Sequence, residues 1–251
     1  MQNKYNASVH NDSRPNVGVT VVPLIYNEET CEIETLIYTR EKTAEVFPNK
    51  ISLPNGFYDR QLVKSSDEAA KIALKSKVNA VLPYIEQLYT FSGDYIDPLR
   101  INTVNICYIS ILKKQDINII SSENDESASK WMSVSELLEI DSDAFAFNHH
   151  EVLTVAYERL KSKAEHSPVV LKMLPTHFTI PTLKTLVEVL VGEPINDSRF
   201  RDRVRKRNLV EAVIVDGKPL KGIPGNAGGS PPNIYQLNEE FAGSFFPKSL
   251  Y

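Results

Sequence analysis

The strongest chemical signal in the sequence is a cluster of arginines towards its C-terminal end. Five of the ten arginines of the chain fall within residues 199–207, whose sequence RFRDRVRKR carries six positive charges and one aspartate. A guanidinium group can bind phosphate oxygens, or the O6 and N7 atoms of guanine, through two parallel hydrogen bonds. So many charges of one sign in a short segment predict a surface that binds a polyanion.

These arginines are predicted to lie on a helix that spans residues 197–208. Phe200 and Val204 are four residues apart, so they share the face that packs against the rest of the protein. At about 100° per residue the opposite face is polar, and it carries Ser198, Arg199, Asp202, Arg205 and Lys206, with Arg201 and Arg203 on its flanks. A solvated surface helix is the alternative, but one sign of charge dominates here. We expect these side chains to contact DNA, because a helix fits the major groove.

Another helix is predicted just before the basic one, over residues 179–191. Thr179 suits its N-cap, Pro181 its first turn, and Gly192 the position just past its end. A Gly-Glu-Pro turn then leads to Asn196 or Asp197, either of which can cap the basic helix. The two helices form a helix-turn-helix, and we include Thr179 among the expected DNA contacts.

Two strand-like segments follow the helix-turn-helix, VEAVIV (210–215) and NIYQL (233–237). The loop between them, residues 217–229, holds five of the ten glycines of the chain. A β-hairpin in this position is a wing, and we expect Lys218 and Lys221 to lie along a phosphate backbone. The alternative is a disordered loop, and both descriptions can hold if the loop orders on DNA.

The charge of the chain is distributed unevenly. The formal net charge is −4, from 28 Lys and Arg against 32 Asp and Glu. Residues 177–251 hold ten basic and eight acidic side chains, so this part is +2 and residues 1–176 are −6. A basic surface on an otherwise acidic chain is typical of a soluble DNA-binding protein.

The composition predicts a folded protein of the cytoplasm. Apolar residues make up 42 % of the chain, which is enough for a hydrophobic core. No apolar run reaches the roughly 18 residues of a membrane span, and the polar N-terminus lacks the apolar region of a signal peptide. The two cysteines, Cys31 and Cys107, are too few for a disulfide framework or a zinc site.

The first part of the chain alternates between strand and helix patterns. Residues 1–15 are predicted to be a mobile arm, and Ser167-Pro168 ends the first region, so the domains are predicted at 16–168 and 169–251. Within 16–168 we first expect a hairpin over 17–40, a turn at Pro54-Asn55-Gly56, and a helix over 67–77 capped by Ser66 or Asp67. Strands are then predicted in IEQLYTFSG and INTVNICYISIL. They are followed by a strand passing into a helix in WMSVSELLEI and by a helix over 152–163.

The chain resembles the Nudix-related transcriptional regulators of the NrtR type, which join a Nudix-like domain to a C-terminal winged helix. The segments that carry the resemblance are SLPNGFY (52–58), DEAAKIALKSKVN (67–79), YIEQLYTFSG with the DP that follows it (84–98), WMSVSELLE (131–139), residues 146–175, residues 177–204 and PPNIYQL (231–237). The resemblance implies an α+β fold in which an α/β/α sandwich with a mixed sheet, serving effector binding and dimerisation, precedes a winged helix that binds DNA.

The Nudix motif itself is not intact. Hydrolases of this class use glutamates on one helix to bind Mg²⁺ and activate water. Alignment places Ile72 at the motif arginine and Ala73 at the first glutamate, while Ser76 and Lys77 occupy the glutamate pair and Asn79 replaces the glycine. We therefore expect no hydrolysis, no catalytic residue, no bound metal and no cofactor.

Loss of the metal ligands leaves room for an effector pocket. The resemblance implies a ligand such as ADP-ribose or a sugar phosphate, bound by Arg40, Asn55, Gly56, Phe57, Tyr89, Phe91 and Arg100. Tyr89 and Phe91 have an alternative as core residues. His149 and His150 lack carboxylate or cysteine partners at metal-ligand spacing, so we interpret them as a helix start with Asn148 as its cap.

Three functions remain open at this point. The first is a homodimeric repressor or activator that binds a palindromic operator and senses a metabolite, with NAD-related genes as expected targets. The second is an active Nudix pyrophosphatase acting on ADP-ribose-like substrates. The third is an architectural DNA binder whose Nudix scaffold binds no ligand.

Overall fold

The computed structural model describes residues 15–80, 84–93, 96, 103–119, 129–223, 230–238 and 240. The strands are β1 (Asn16–Asn27), β2 (Glu32–Thr39), β3 (Ile51–Ser52), β4 (Asn55–Phe57), β5 (Val78–Ala80), β6 (Tyr84–Ser92), β7 (Thr103–Ile111), β8 (Ile117–Ile119), β9 (Lys130–Ser133), β10 (Val210–Ala212), β11 (Ile214–Val215), β12 (Lys218–Pro219) and β13 (Tyr235–Leu237). The α-helices are α1 (Ser66–Lys75), α2 (Val134–Glu139), α3 (His149–His166), α4 (Ile180–Val191) and α5 (Asp197–Lys206).

A mixed sheet organises the first part of the chain. Its main path is β3-β2-β1-β7-β6, with β4 added to β1 and β9 added to β2. The long strand β1 lies at the centre and pairs in parallel with β7, from Asn16 opposite Thr103 to Leu24 opposite Ile111. The other pairings of this sheet are antiparallel. The chain therefore needs a long crossover between β1 and β7, and this crossover contains α1.

Helices cover both faces of this sheet. Along β1, Val22, Leu24 and Tyr26 point to the face covered by α3, whereas Val19 and Val21 point to the face covered by α1. This alternation follows from the two-residue period of a strand. The result is three layers, with α1 on one face of the sheet and α2 and α3 on the other.

The second part of the chain is a helix-turn-helix followed by short strands. The N-cap of α4 is Thr179, whose side chain accepts a hydrogen bond from the Thr182 N–H, and Gly192 ends the helix in the left-handed conformation with φ 76°. Strand β10 pairs with β13, and β11 pairs with β12. Phe178, which precedes the N-cap of α4, also pairs with Tyr235, so the segment before α4 is tied into the small sheet.

One apolar core runs through both parts of the chain. It includes residues of β1 and β7, the buried face of α3, the 3₁₀ helix Pro168–Met173, and the inward faces of α4 and α5. Gln115 also joins the two parts, because its side chain accepts from the Thr176 N–H (3.0 Å) and donates to the Thr176 hydroxyl (2.9 Å). The hydrophobic packing is thus continuous across the predicted domain boundary at Ser167-Pro168.

Several predicted elements have different limits in the structure. Helix α1 is capped by Ser65, not by Ser66 or Asp67, and ends at Lys75. Asn55 and Gly56 are paired with β1 as part of β4, so the predicted turn is confined to the residues before them. The segment 210–215 is two strands, because Val213 turns from one pairing partner to another. None of the described helices has the length and apolar character needed to cross a membrane.

A cluster around Glu86 connects α3 to the edge of the sheet. The Glu86 carboxylate, 26 % exposed, lies 2.8 Å from Lys163 Nζ and 3.6 Å from Arg159 Nη1, and it also accepts from the Tyr84 hydroxyl. Burial raises the pKa of Glu86, but the hydrogen bonds from Lys163 and Tyr84 outweigh burial, so the pKa lies below the ordinary 4.5. The charged carboxylate is therefore the form that holds α3 against β6.

This cluster predicts a pH-dependent contribution to stability. The folded protein binds the Glu86 proton less readily than the unfolded chain, so the contribution is complete above about pH 4.5 and is lost as pH falls through the lower pKa. We expect Glu86→Gln to lower the free energy of unfolding by about 1 kcal/mol at pH 7, and by less at pH 4. Urea unfolding at both pH values measures this, with the exposed Glu139→Gln as control. An equal loss at both values would contradict the prediction.

Candidate functional site

The basic helix α5 presents its charges to solvent as predicted. Phe200 and Val204 are 0 % and 2 % exposed, respectively, so one face is fully buried. The side chains on the opposite face are exposed, namely Ser198, Arg199, Asp202, Arg205 and Lys206; Arg201 is also exposed, and Arg203 is half-buried. Arg205 lies 3.9 Å from Asp202 in a highly exposed pair, which contributes little to stability. Arg199, Arg201 and Arg205 are thus displayed to solvent by the helix.

Polar contacts determine how α5 follows α4. Asn196 is the N-cap of α5, and its Oδ1 accepts from the Arg199 N–H (3.1 Å). Glu188 on α4 accepts from the Ile195 N–H (2.7 Å), and Lys184 bridges Glu188 and Asp197. The hydrogen bond from Lys184 holds the pKa of Asp197 below its ordinary value. The turn between the helices is therefore closed by charge-assisted hydrogen bonds.

The hydroxyl group of Thr179 forms hydrogen bonds at the start of α4. Its Oγ1 accepts from the Thr182 N–H (3.2 Å) and lies 2.9 Å from the Thr182 hydroxyl. Thr179 therefore stabilises the helix N-terminus through its side chain. Its part in DNA contact stays a prediction.

The wing begins with a tight hairpin between β11 and β12. Its turn residues Asp216 and Gly217 have φ 51° and 74°, the left-handed values typical of an Asp-Gly hairpin turn. Lys218 is exposed in β12 and so does not lie in a loop as predicted, while Lys221 donates to Asn233 Oδ1 and joins two segments of the wing. Of the predicted glycine-rich loop, residues 224–229 lie outside the described residues.

A cavity of about 190 Å³ lies in the first part of the chain, at the end of the sheet where β1 and β7 begin. It is lined by Gly18, Val19, Thr20, Arg40, Glu45, Val46, Asn55, Gly56, Phe57, Ile96, Thr103, Asn105, Phe147 and His149. The structure thus brings together four predicted ligand residues, which are Arg40, Asn55, Gly56 and Phe57.

The other predicted ligand residues are not part of this cavity. Phe91 is 5 % exposed and belongs to the core, so its alternative as a core residue is the better description. Tyr89 is 56 % exposed and packs edge-on against Phe91, with 4.9 Å between ring centroids. Both lie on β6, which is separated from β1 by β7, and neither lines the cavity. Arg100 lies outside the described residues.

Arg40 is held in place at the cavity wall. Its Nε donates to the Val46 carbonyl (3.0 Å), and its guanidinium lies over the ring of Phe147, 5.1 Å from the centroid. The same ring contacts Phe47 and His149, at centroid distances of 5.0 and 5.2 Å. Cation–π contact and one backbone acceptor therefore orient a positive charge at the cavity.

The inner wall of the cavity, formed by Thr20, Asn105 and His149, is buried and polar. Nδ1 of His149 accepts from the Leu53 N–H (3.1 Å), which assigns the ring proton to Nε2. Nε2 lies 3.5 Å from the Thr20 hydroxyl, which in turn donates to Asn105 Oδ1 (3.1 Å). Burial, assisted by the charge of Arg40, lowers the pKa of His149 to about 3. His149 is therefore a neutral hydrogen-bond donor.

The sequence holds a signal for part of this wall. Thr20 and Asn105 are polar residues within otherwise apolar alternating strands, on the same faces as Val22 and Cys107, which belong to the core. A buried polar residue within such a pattern marks either a hydrogen-bond network or a site. Phe147 had no such signal, because its role depends on a backbone with φ 53° just before α3. His149 begins α3 after the cap position Asn148, as predicted.

The positions that correspond to the Nudix motif hold no metal site among the described residues. Ala73 is buried, and Ser76 donates to the Ala73 carbonyl (2.8 Å). The Lys77 ammonium lies 4.2 Å from the ring centroid of Tyr38, whose hydroxyl donates to Asn55 Oδ1 (2.7 Å). In the described part of the chain, no group of three or more His, Cys, Asp or Glu side chains is arranged to hold a metal ion.

A larger cleft of about 1040 Å³ lies between the two parts of the chain. Its charged side chains have both signs, with Lys113 and Lys172 against Asp116, Glu211 and Glu240. This cleft therefore presents neither the predominantly positive charge of α5 nor the buried hydrogen-bond donors of the smaller cavity.

Comparisons with known proteins match both parts of the chain. Residues 170–222 match the family model of the NrtR DNA-binding winged helix domain. The crystal structure of NrtR from Shewanella oneidensis matches with a TM-score of 0.71 at 30 % identity, over 90 % of this chain and 95 % of that one. The chain belongs to the NrtR family. Its fold is the Nudix-like sandwich followed by a winged helix, as predicted.

Two complexes of the Shewanella protein also match this NrtR-family chain. The complex with a 27mer DNA matches with a TM-score of 0.70 at 29 % identity, over 90 % of this chain and 95 % of that one. The Nudix domain complexed with ADP ribose matches with a TM-score of 0.51 at 25 % identity, over 62 % of this chain and 94 % of that one.

A relative from Acinetobacter baylyi is named an ADPR responsive transcriptional repressor, NtrR. It is 25 % identical over 240 residues, which are 94 % of this chain and 88 % of the relative. The Acinetobacter relative is thus named as a regulator of transcription.

The neutral state of His149 has a measurable consequence for stability. Its pKa is about 3 in the folded protein against 6.5 in a free side chain, so below pH 6.5 only the unfolded chain gains the proton. We expect the free energy of unfolding to fall with pH below 6.5, by about 1.4 kcal/mol per pH unit from this residue. His149→Phe should remove this slope in urea unfolding between pH 7 and 5. An NMR titration of the His149 ring with a midpoint near 6.5 would contradict the assignment.

Proposed function

We propose that this protein is a DNA-binding transcriptional repressor whose Nudix domain binds ADP-ribose as its effector. The observation that carries the DNA-binding proposal is the exposed row of arginines on α5, whose opposite face is anchored by Phe200 and Val204. The family model that matches this segment is named for DNA binding, and the Shewanella relative has been crystallised with DNA.

The effector proposal is based on the cavity. It combines a cation, Arg40, with the buried donors His149 and Asn105, which suits a ligand with phosphate and hydroxyl oxygens. The name of the Acinetobacter relative and the ADP ribose complex of the Shewanella Nudix domain identify ADP-ribose as the first ligand to test. Glu45 also lines the cavity, so the ligand phosphates must contact Arg40 away from this carboxylate.

We propose that the protein acts as a homodimer in the cytoplasm and that its two domains have different functions. Residues 16–168 would bind the effector and form the dimer, and residues 169–251 would bind DNA. One recognition helix reaches only a few base pairs, so two copies on a palindromic operator give useful specificity. Contacts to the operator are assigned to the polar face and flanks of α5, to Thr179, and to Lys218 and Lys221.

We also propose that the protein does not hydrolyse its ligand. At the motif positions, Ala73 and Ser76 have no carboxylate, and the Lys77 ammonium would repel a divalent cation. A ligand that is not hydrolysed occupies its site according to its concentration, so the protein can sense that concentration. An active pyrophosphatase and a ligand-free architectural protein are the two alternatives that the experiments must separate.

The DNA-binding proposal predicts separate effects on binding and folding. Arg199→Ala and Arg205→Ala should weaken binding by about 1–3 kcal/mol at a base-reading position, while stability changes by no more than about 0.5 kcal/mol because both side chains are exposed. The operator is first selected from a random oligonucleotide library, and fluorescence anisotropy at two salt concentrations then measures affinity. Mass determination of the complex should give two protomers per site.

Two controls make this test specific. Lys130→Ala removes an exposed cation from β9 and should leave DNA affinity unchanged. Phe200→Ala should lower stability by about 3–5 kcal/mol because it leaves a cavity under α5. If both arginine variants bind operator and random DNA like the wild type, α5 is only a solvated helix.

The effector proposal predicts binding without turnover. ADP-ribose should raise the melting temperature of the protein, because it binds only the folded state, and should release it from the operator. With Mg²⁺ or Mn²⁺ present, chromatography should detect no AMP above a protein-free control. AMP formation that depends on metal would favour the pyrophosphatase, and the absence of any thermal shift would favour the architectural protein.

A further inference from the structure

The segment that follows Glu240 is rich in aromatic residues. Residues 241–251, FAGSFFPKSLY, lie outside the described residues. Their sequence holds three of the ten phenylalanines of the chain, a leucine and a tyrosine, against one charged side chain, Lys248. Segments that stay unfolded in water are poor in aromatic residues, and burial of large apolar side chains is favourable. We therefore expect this segment to bind an apolar surface.

The structure places the start of this segment at the cleft between the two parts of the chain. Leu237, Asn238 and Glu240 all line that cleft. The Asn238 N–H donates to the Leu209 carbonyl (2.9 Å), and Asn238 Oδ1 accepts from the Glu240 N–H (3.3 Å). Hydrogen bonds thus hold the chain at the cleft just before residue 241. Eleven extended residues span up to about 36 Å, so 241–251 can reach across it.

The cleft offers an apolar surface and enough room for the segment. Its volume of about 1040 Å³ lies at the upper end of the roughly 300–1,000 Å³ found for pockets that bury a drug-sized molecule. Pro168, Pro175 and Leu237 are only half-buried, so each keeps accessible apolar surface. The complete apolar lining is Pro168, Val169, Leu171, Leu174, Pro175 and Leu237. Several aromatic side chains can therefore pack there.

The charges at the cleft favour this segment over an anionic ligand. The lining has two basic side chains, Lys113 and Lys172, and three acidic ones, Asp116, Glu211 and Glu240, so its formal charge is −1. A negative lining disfavours DNA or a phosphate compound. Residues 241–251 carry one basic side chain and no acidic one, so their charge is complementary to the cleft.

We propose that residues 241–251 bind in the cleft of their own chain, with the phenylalanine rings on its apolar lining. The walls of the cleft come from both parts of the chain, because Lys113 and Asp116 follow β7 whereas Leu237 ends β13. The bound segment then contacts both parts and restrains the winged helix relative to the Nudix-like domain. This proposal does not depend on the effector or the operator.

Hydrogen–deuterium exchange of the full-length protein, read by mass spectrometry, tests whether the segment is bound. We expect the amides of 241–251 to exchange at least tenfold more slowly than in the urea-unfolded protein, because bound backbone opens less often. Phe245→Ser combined with Phe246→Ser should restore fast exchange in this segment. The same change should accelerate exchange in residues 168–176, which line the cleft and lose their cover.

Variants outside the segment test its location. Pro175→Asp places a carboxylate on the apolar lining and should accelerate exchange in 241–251 at least tenfold. Ile223→Ser removes an apolar side chain that is 90 % exposed and does not line the cleft, so exchange in the segment should stay unchanged. Melting curves identify a variant that does not fold, and the Phe245 and Phe246 changes keep the test available if Pro175→Asp is unstable.

Crosslinking decides which chain supplies the segment. Cys31→Ser removes the exposed cysteine, and Cys107 is buried. In this background, Lys172→Cys at the cleft and Ser244→Cys in the segment provide two reactive thiols. A short bismaleimide should join them within one chain, so the product keeps the mass of a monomer under denaturing conditions.

Four results would overturn the proposal. Exchange in 241–251 as fast as in the unfolded protein would show that the segment is unbound. Slow exchange that a folded Pro175→Asp variant leaves unchanged would place the segment elsewhere on the protein, and so would the absence of any crosslink. A crosslinked dimer would show that the segment enters the cleft of a second copy.

Discussion

Burial of α3 is the constraint on which the rest of the structure depends. Its inward face, which includes Leu153, Ala156 and Leu160, is completely buried, and the helix contacts β1, β6, α2 and α4. Removal of apolar surface from water is the dominant favourable term in folding, and these side chains contribute to it fully. The helix therefore cannot shift without disturbing both the sheet of the Nudix-like part and the first helix of the winged helix.

The ends of α3 explain why this constraint matters for function. Its first residue, His149, belongs to the inner wall of the cavity, and its last turn passes at Ser167 directly into the buried 3₁₀ helix that precedes α4. Glu86 attaches the last turn of the helix to the sheet through Lys163. The cavity and the winged helix are thus joined by one continuous packed unit, along which coupling between the two sites can be transmitted.

The two candidate sites use charge in different ways. On α5, Arg199, Arg201 and Arg205 are exposed to solvent, so they suit a large polyanion that is also solvated until it binds. In the cavity, Arg40 is oriented by Phe147 and Val46, and the donors beside it are buried, which suits a small ligand whose shape and oxygen positions must match. Lys77, which follows α1, contacts Tyr38, and the Tyr38 hydroxyl donates to Asn55 at this second site.

The sequence by itself determined the local elements and the exposed face of α5, because helix periodicity, capping residues and one-sided charge are properties of neighbouring residues. Phe200 is buried and Arg199 is exposed for reasons that lie within one turn of helix. Only part of the cavity could be predicted from the sequence. Thr20, Asn105 and His149 are distant in sequence, and they come together because β1 pairs in parallel with β7 and α3 packs against the sheet. Tyr89 and Phe91 were predicted at the ligand site for the same reason: the order of strands in the sheet, which places β6 away from the cavity, cannot be read from local sequence. Long-range pairing fixes which polar side chains are brought together in a buried site, and no local pattern encodes it.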